Sequence, residues 1–462
     1  MIGYVLSYVI TALASIAALR RPLIGLYAYV GFAILRPQFI FRFAGDMSSL
    51  SLVLGVALLA GWAMNGFGNW DLGRSKPVVI ALFGYTFCYM VSASLAEFTD
   101  VSWKAVLELL KIVLPFCVGL TMIREEKDWK PLLWVIVLSQ GYVGFEQNLN
   151  YLKGYNTAAE GFGGMDNNCF GVSLVTVLGP AIGLVLISQK WWERAAAGVA
   201  TAFILHTTLL TFSRGAMVGM VVVGLSAFIA LPKRPKYIVW MLVAALVAAR
   251  LTGPQLLARY STVLASSDER DGSAQSRLDL WQDTLKVIAA QPVFGVGPAN
   301  WRMISSRFGW TEGKSAHSVW METGAEVGVP GTLSLLMFFV IAALRLWPLA
   351  RAKVTPENYY RVGAAIGVVL GVIGFVTSGQ FVSVVGLEAP YYVVLVGVVV
   401  MRTSEHLAVH APVAVPVRPG PIQAGVPSRP RTSAAMPTQR RPQTPAPTRL
   451  IPLVGPPPRR EA

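Results

Sequence analysis

Three residues in this sequence have the chemistry to hold an anion and to move a proton: Arg214, Arg277 and His317. Arg214 stands in Phe212-Ser-Arg-Gly-Ala216, between two apolar runs. A guanidinium this close to hydrocarbon is costly and marks a functional position, unless it simply snorkels to the headgroups. Arg277 lies in Ser273-Ala-Gln-Ser-Arg277-Leu-Asp-Leu-Trp281. Leu278, Trp281, Leu285 and Ile288 mark one helical face there, Ser273 or Ser276 can cap the helix, and Gln291-Pro292 ends it. That pattern predicts Arg277 in the first turn, where free N–H groups and a partial positive charge join the guanidinium in a seat for a phosphate. The same guanidinium could equally form an ordinary ion pair with Asp279. His317 opens Ala316-His317-Ser-Val-Trp-Met-Glu322-Thr-Gly-Ala-Glu326, which runs straight into an apolar span. An imidazole with an ordinary pKa near 6.5 suits proton abstraction, although a lone interfacial histidine is often inert. His206, embedded in an apolar run, reads as structural.

Around these three lie supporting candidates. Asp166, Asn167 and Asn168 place polar groups at the start of another apolar run. Arg270, Asn300 and Glu322 flank the same motifs, and Gly297 belongs to a Gly295-Val-Gly297 turn whose default reading is structural. Motifs of other chemistries do not occur: there is no Walker loop, His-Glu-x-x-His, Cys-x-x-Cys, Gly-x-Ser-x-Gly or Asp-x-Asp. Cys88, Cys117 and Cys169 are not spaced as metal ligands or a redox pair and read as buried small hydrophobes. The expectation is therefore a site with no metal and no cofactor.

The elements that must position these residues are membrane spans. The chain of 462 residues is 54% hydrophobic and only 14% charged, and its mean hydropathy is +0.55. Soluble domains run near a quarter charged. This balance excludes a cytosolic enzyme, a secreted disulfide domain and a disordered regulator. The net charge of +15 would suggest nucleic acid if it were gathered in a groove. It is instead spread over short loops, so no nucleic-acid partner is expected. Membrane lipids are.

A spanning helix needs about 20 mainly apolar residues. Such runs fall near 2–19, 22–41, 48–66, 77–95, 103–123, 130–148, 168–188, 195–212, 215–231, 236–252, 326–349, 360–380 and 388–402, the second interrupted by Arg36-Pro37. The fold class expected is an all-α polytopic membrane protein with about 12–13 transmembrane helices. Arg20/Arg21, Arg74/Lys76, Arg124/Lys127/Lys130, Lys190/Arg194, Lys233/Arg234/Lys236 and Arg351/Lys353 occupy alternate loops. Placing them inside puts the N-terminus outside. The segments 154–168, 211–214 and 253–325 then face outward together. No cleavable signal peptide is read at the N-terminus, because no basic residue precedes the first apolar run. The organisation expected is an N-terminal membrane region 1–190, a second membrane region 191–402 carrying the large outward loop 253–325 with short helices, and a tail 403–462. That tail holds eight Arg and two Glu, a net of +6, and is Pro-rich from about residue 411. It reads as disordered and cytoplasmic, able to touch anionic headgroups.

Taken together and in order, Phe-Ser-Arg214-Gly-Ala, Ser-Ala-Gln-Ser-Arg277-Leu-Asp-Leu-Trp, Gly295-Val-Gly297 and Ala-His317-Ser-Val-Trp-Met-Glu-x-Gly-Ala-Glu-x-Gly-x-Pro-Gly331 resemble the O-antigen ligase/polymerase superfamily. Leu19-Arg-Arg-Pro-Leu-Ile-Gly25, Leu35-Arg-Pro37 and Asp166-Asn-Asn168 are similar to its exosortase-associated O-glycosylation ligase branch. The likeness covers roughly residues 1–402. It implies a glycosyltransferase of the bacterial inner membrane whose donor is a glycan on undecaprenyl pyrophosphate. In the resemblance, Arg214 and Arg277 hold the pyrophosphate, and His317 is the general base on an acceptor hydroxyl of lipid A–core, protein or exopolysaccharide. The reaction inverts the anomeric carbon without a metal. A polymerase would share this donor chemistry. A flippase or transporter would instead place its ionisable groups at mid-membrane depth beside broken helices, whereas here they gather at the predicted outer mouth. A structural scaffold for export would leave the Arg/His cluster dispensable.

Overall fold

The computed structural model describes residues 2–41, 49–230, 272–383 and 386–410. The predicted span 236–252, Arg270 and the Pro/Arg-rich segment beyond residue 410 lie outside them. The described chain is helical: α1 (Ile2–Arg20), α2 (Pro22–Leu35), α3 (Pro37–Ile40), α4 (Leu50–Met64), α5 (Lys76–Leu95), α6 (Thr99–Met122), α7 (Glu126–Leu152), α8 (Asn167–Ile187), α9 (Trp191–Leu210), α10 (Arg214–Ala230), α11 (Gly272–Ala290), α12 (Trp301–Ile304), α13 (Val319–Ala350), α14 (Tyr359–Ser378) and α15 (Glu388–His410). Among the described residues the only β-type pairing is one isolated bridge, Phe162 to Met165.

Seven helices among the described residues are long and apolar enough to cross a membrane: Gly3–Arg20, Pro22–Ile40, Gly73–Leu95, Thr99–Met122, Asn167–Ile187, Val319–Ala350 and Tyr359–Phe381. The fold is thus that of an all-α polytopic membrane protein. The count is smaller than about thirteen because α4 and α10 are shorter apolar helices, while α7, α9 and α15 carry more polar residues along their length. Arg36-Pro37 does interrupt the second span. Proline disfavours a helical residue before it, and Arg36 turns left-handed at φ 47° between α2 and α3.

Two features fix where the helix ends fall. The first is close packing of small residues, the usual way membrane helices approach one another. On α8 and α14 a β-carbon at Gly179 would lie 2.2 Å from the Gly371 nitrogen, and one at Gly183 would lie 2.4 Å from the Gly363 oxygen. No side chain fits this seam, so the two helices hold one register. An aromatic cluster, Phe338, Phe339, Phe375 and Tyr391, fills the adjoining space between α13, α14 and α15, with Phe339 and Phe375 ring centroids 4.6 Å apart. The second feature is a set of polar ties at the two ends. At one end Trp62 Nε1 donates to Thr121 Oγ1 (2.8 Å), Tyr360 donates to Glu193 (2.6 Å), and Glu126 pairs with both Lys130 and Arg361 (2.8 Å each). At the other end the N-termini of α8, α10, α13 and α15 meet the C-termini of α2 and α5. This is the end that the basic-loop pattern assigns to the outside.

Candidate functional site

The site is assembled from the residues just before three helices. Asp166 caps α8, accepting from the Cys169 N–H at 2.7 Å. Asn167 Nδ2 donates to the Thr211 carbonyl (3.0 Å), Asn168 Nδ2 donates to Asn167 Oδ1 (3.1 Å), and Ser213 Oγ donates to Asn168 Oδ1 (2.9 Å). The two asparagines therefore clamp the turn that precedes Arg214. That turn carries strain, with Phe212 at φ 51°. It also admits no side chain after Arg214, because a β-carbon on Gly215 would sit 2.7 Å from Phe381 Cβ.

Arg277 lies on α11, but not in its first turn. The helix already begins at Gly272, so Ser273 and Ser276 are inside it rather than capping it, and Arg277 occupies the second turn. The buried face also differs from the expected one. Leu280, Thr284 and Val287 are buried, with Trp281 and Ile288 at its margin, while Leu278 and Leu285 are exposed. Spacing alone could not choose between these overlapping stripes, since Trp281 and Ile288 belong to both. Trp281 Nε1 donates to the Ala316 carbonyl (3.0 Å) and so ties α11 to the residue before the histidine.

His317 precedes α13 by two residues, and the backbone on both sides of it is held. The Ala316 N–H donates to Glu322 Oε2 at 2.8 Å, and Ser318 caps α13 through the Met321 N–H at 3.3 Å. His317 itself sits at φ 52°, a left-handed conformation that costs an L-residue about 1–2 kcal/mol. Glu322 is buried and additionally accepts from Ser383 Oγ and pairs with Arg302 Nε at 3.6 Å.

Beneath this lies a break in α13. Gly328 takes φ 78°, and Pro330 has no N–H, so the carbonyls of Ala325 and Glu326 lose their helical partners. The Gly295-Val-Gly297 turn fills the vacancy: Val296 N–H donates to Ala325 and Gly297 N–H to Glu326, both at 2.9 Å. Gly297 is at φ 106°, and a β-carbon there would be 2.3 Å from Ala96 Cβ. Asn300 is buried in the same loop, where Nδ2 donates to the Val296 carbonyl (3.0 Å) and Oδ1 accepts from Ser102 Oγ (3.2 Å). Gly297 and Asn300 thus shape the loop. His206 fits its structural reading, with Nδ1 hydrogen-bonded to Asn148 Oδ1 and its ring against Tyr151.

Electrostatics tie the pieces together. Burial pushes the Arg277 pKa down, and the Arg214 guanidinium adds to this, partly opposed by Asp166. A guanidinium stays charged regardless, so the two arginines present concentrated positive charge. Burial also pushes the His317 pKa below its ordinary value, followed by the charges of Arg277 and Lys314, with Asp166 acting the other way. Arg214, Arg277 and His317, far apart in sequence, therefore share one electrostatic site with Asp166. Glu322 adjoins it through Ala316. Sequence reasoning missed Arg302, Ser383 and Arg36. Arg302 is one charge among many in a loop, Ser383 has no local signal, and Arg36 stands out in the sequence only as a helix interruption and as part of the Leu35-Arg-Pro37 motif. Among the described residues no group of three His, Cys, Asp or Glu side chains is arranged to hold a metal ion.

Site and fold together define a polytopic membrane protein with two arginines and a histidine near one another at one end. Residues 199–336, which contain Arg214, Arg277 and His317, match the family model described as O-antigen ligase. Residues 1–170 match a model described as a family of unknown function (DUF5935). No curated protein matches the chain. The first match is a likeness to the O-antigen ligase family over less than a third of the chain, the part that carries the three residues.

Proposed function

We propose that this protein is a glycan ligase of the bacterial inner membrane, moving an oligo- or polysaccharide from undecaprenyl pyrophosphate to an acceptor hydroxyl on the outer face. What supports the reading most is the convergence of Arg214, Arg277 and His317 at one end of an otherwise apolar body. Arg214 and Arg277 hold the pyrophosphate. Their adjacent guanidiniums suit an anion, and their charge stabilises the leaving group as its bond breaks. Burial and the Arg277 and Lys314 charges lower the His317 pKa, which favours the neutral ring that a base needs. His317 accepts the proton of the acceptor hydroxyl. The acceptor oxygen bonds to the anomeric carbon from the face opposite the pyrophosphate. The carbon–oxygen bond to the leaving group breaks with its electron pair passing to the pyrophosphate oxygen, so configuration inverts. Asn167 and Asn168 position Arg214, and Glu322 positions His317.

The acceptor is a glycan, a protein hydroxyl or lipid A–core. The likeness to the exosortase-associated branch favours protein or exopolysaccharide, and a polymerase would use the same donor step. The test replaces His317 with alanine in the native host, verifies normal membrane levels, and measures lipid-linked glycan by leaflet. The proposal expects product to vanish and donor to accumulate on the outer leaflet. Donor accumulating on the inner leaflet identifies a flippase instead, and unchanged product removes His317 from the chemistry.

A further inference from the structure

A cavity of about 400 Å³ opens beside the site, between α5, α6, α13 and the chain before α15. Its size falls within the usual range for ligand pockets, about 300–1,000 Å³. Neither Arg214, Arg277 nor His317 lines it. It meets the site through Glu322 and Arg302, and Glu322 holds the N–H of the residue next to His317. A second cavity of about 380 Å³ shares Arg36, Glu108 and Gly386 with it, so the two form one cleft.

The lining is mostly apolar, with a few charged groups that are paired with one another. Glu108, Glu322 and Glu326 supply carboxylates, and both guanidiniums are already matched: Arg302 with Glu322 at 3.6 Å and Arg36 with Glu388 at 3.0 Å. Glu108 is likewise held by Lys111 at 2.6 Å, so a phosphate entering here finds each cation already paired. Hydroxyl groups suit it better, since they donate to carboxylates and accept from guanidiniums at once. Tyr89 and Leu109 add apolar wall for the C–H faces of a sugar ring. The backbone is strained here too, as Arg36 (φ 47°) and Ala299 (φ 59°) both line the cavity.

We infer that this cleft is the acceptor subsite and that it takes an uncharged, hydroxyl-rich glycan rather than a phosphorylated lipid or a peptide. The inference rests on the ligase reading above and names its acceptor class. It is tested by photo-crosslinking with the full chain in the native host. The variant Ala105→p-benzoylphenylalanine places the probe in the cavity wall, and Leu278→p-benzoylphenylalanine places a control beside Arg277. Adducts are resolved by mass and by periodate–hydrazide labelling. The expected result is a carbohydrate adduct free of phosphate from position 105 and an undecaprenyl pyrophosphate adduct from position 278. Adding Glu108→Gln or Arg302→Lys should lower the first adduct about fivefold, the worth of one lost hydrogen bond, and leave the second unchanged. A polypeptide or lipid A–core adduct at position 105 overturns the assignment. So does no adduct at 105 when 278 captures its lipid. Failure of the 278 adduct alone counts against the donor reading, not against the subsite.

Discussion

At the end of the body that holds Glu126 and Glu193, the charged groups are tied to one another. Glu126 pairs with Lys130 and Arg361, Glu193 accepts from Tyr360, and α7 starts with a reciprocal capping box between Glu125 and Asp128. At the opposite end the Arg214 charge adds to burial in lowering the Arg277 pKa, and the Arg277 charge does the same to His317. Of the five non-glycine residues with positive φ among the described residues, Arg36, Phe212, Ala299 and His317 are at this end, and only Phe67 is not. Backbone strain persists only where the surrounding structure over-determines it. The comparison therefore sets an end tied by ion pairs and a capping box against an end where left-handed backbone gathers around the residues proposed for binding and reaction.

The largest expected effect breaks this contrast at its centre. His317→Gly removes the base and relieves the left-handed backbone at once. Transfer should fall by about 10²–10⁴-fold, the usual contribution of a general base, while thermal unfolding shows a gain of about 1 kcal/mol from the relieved backbone. Activity and stability moving in opposite directions would mark the site as strained for function. Loss of both would mean that the ring is a packing element.

A smaller loss is expected for Glu322→Gln. It keeps the shape but weakens the contacts to the Ala316 N–H, Ser383 and Arg302, and should lower transfer by about tenfold, equivalent to about 1.4 kcal/mol. As a positioning residue it should leave capture of undecaprenyl pyrophosphate unchanged and reduce the rate of the bound complex. Arg361→Met at the opposite end should cost about 1 kcal/mol or less of stability, because Glu126 keeps Lys130, and should leave transfer as it was. The smallest effect is a shift in pH profile. The Lys314 charge holds the His317 pKa down, so Lys314→Gln raises it. The base is then protonated at a higher pH, and the acidic limb of the rate profile moves upward with the plateau unchanged.

Much of this was legible in the sequence, and the parts that were not share a cause. The apolar runs and the break at Arg36-Pro37 follow from local patterns that periodicity and hydropathy record. The start of α11 did not follow, because Ser273 and Ser276 are good caps that the chain uses as interior residues. The position of Asn300 was equally hidden, since its partner Ser102 lies far away in sequence. Arg302, Ser383 and the cleft they line depend on long-range contacts from α5, α6 and the chain before α15. No window of sequence contains such contacts. Asp166, Asn167 and Asn168 were visible as polar groups, but their work as a cap and a clamp on the Arg214 turn needed the fold.

The central claim is that Arg214 and Arg277 seat a pyrophosphate next to a separate base at His317. Native mass spectrometry of the purified full chain with undecaprenyl pyrophosphate separates the two roles. Binding should persist in His317→Ala and fall at least about tenfold in Arg277→Ala, the expected loss for one charge-assisted contact. If Arg277→Ala binds as the wild type does, or if His317→Ala loses binding with it, the two roles are not divided as described here.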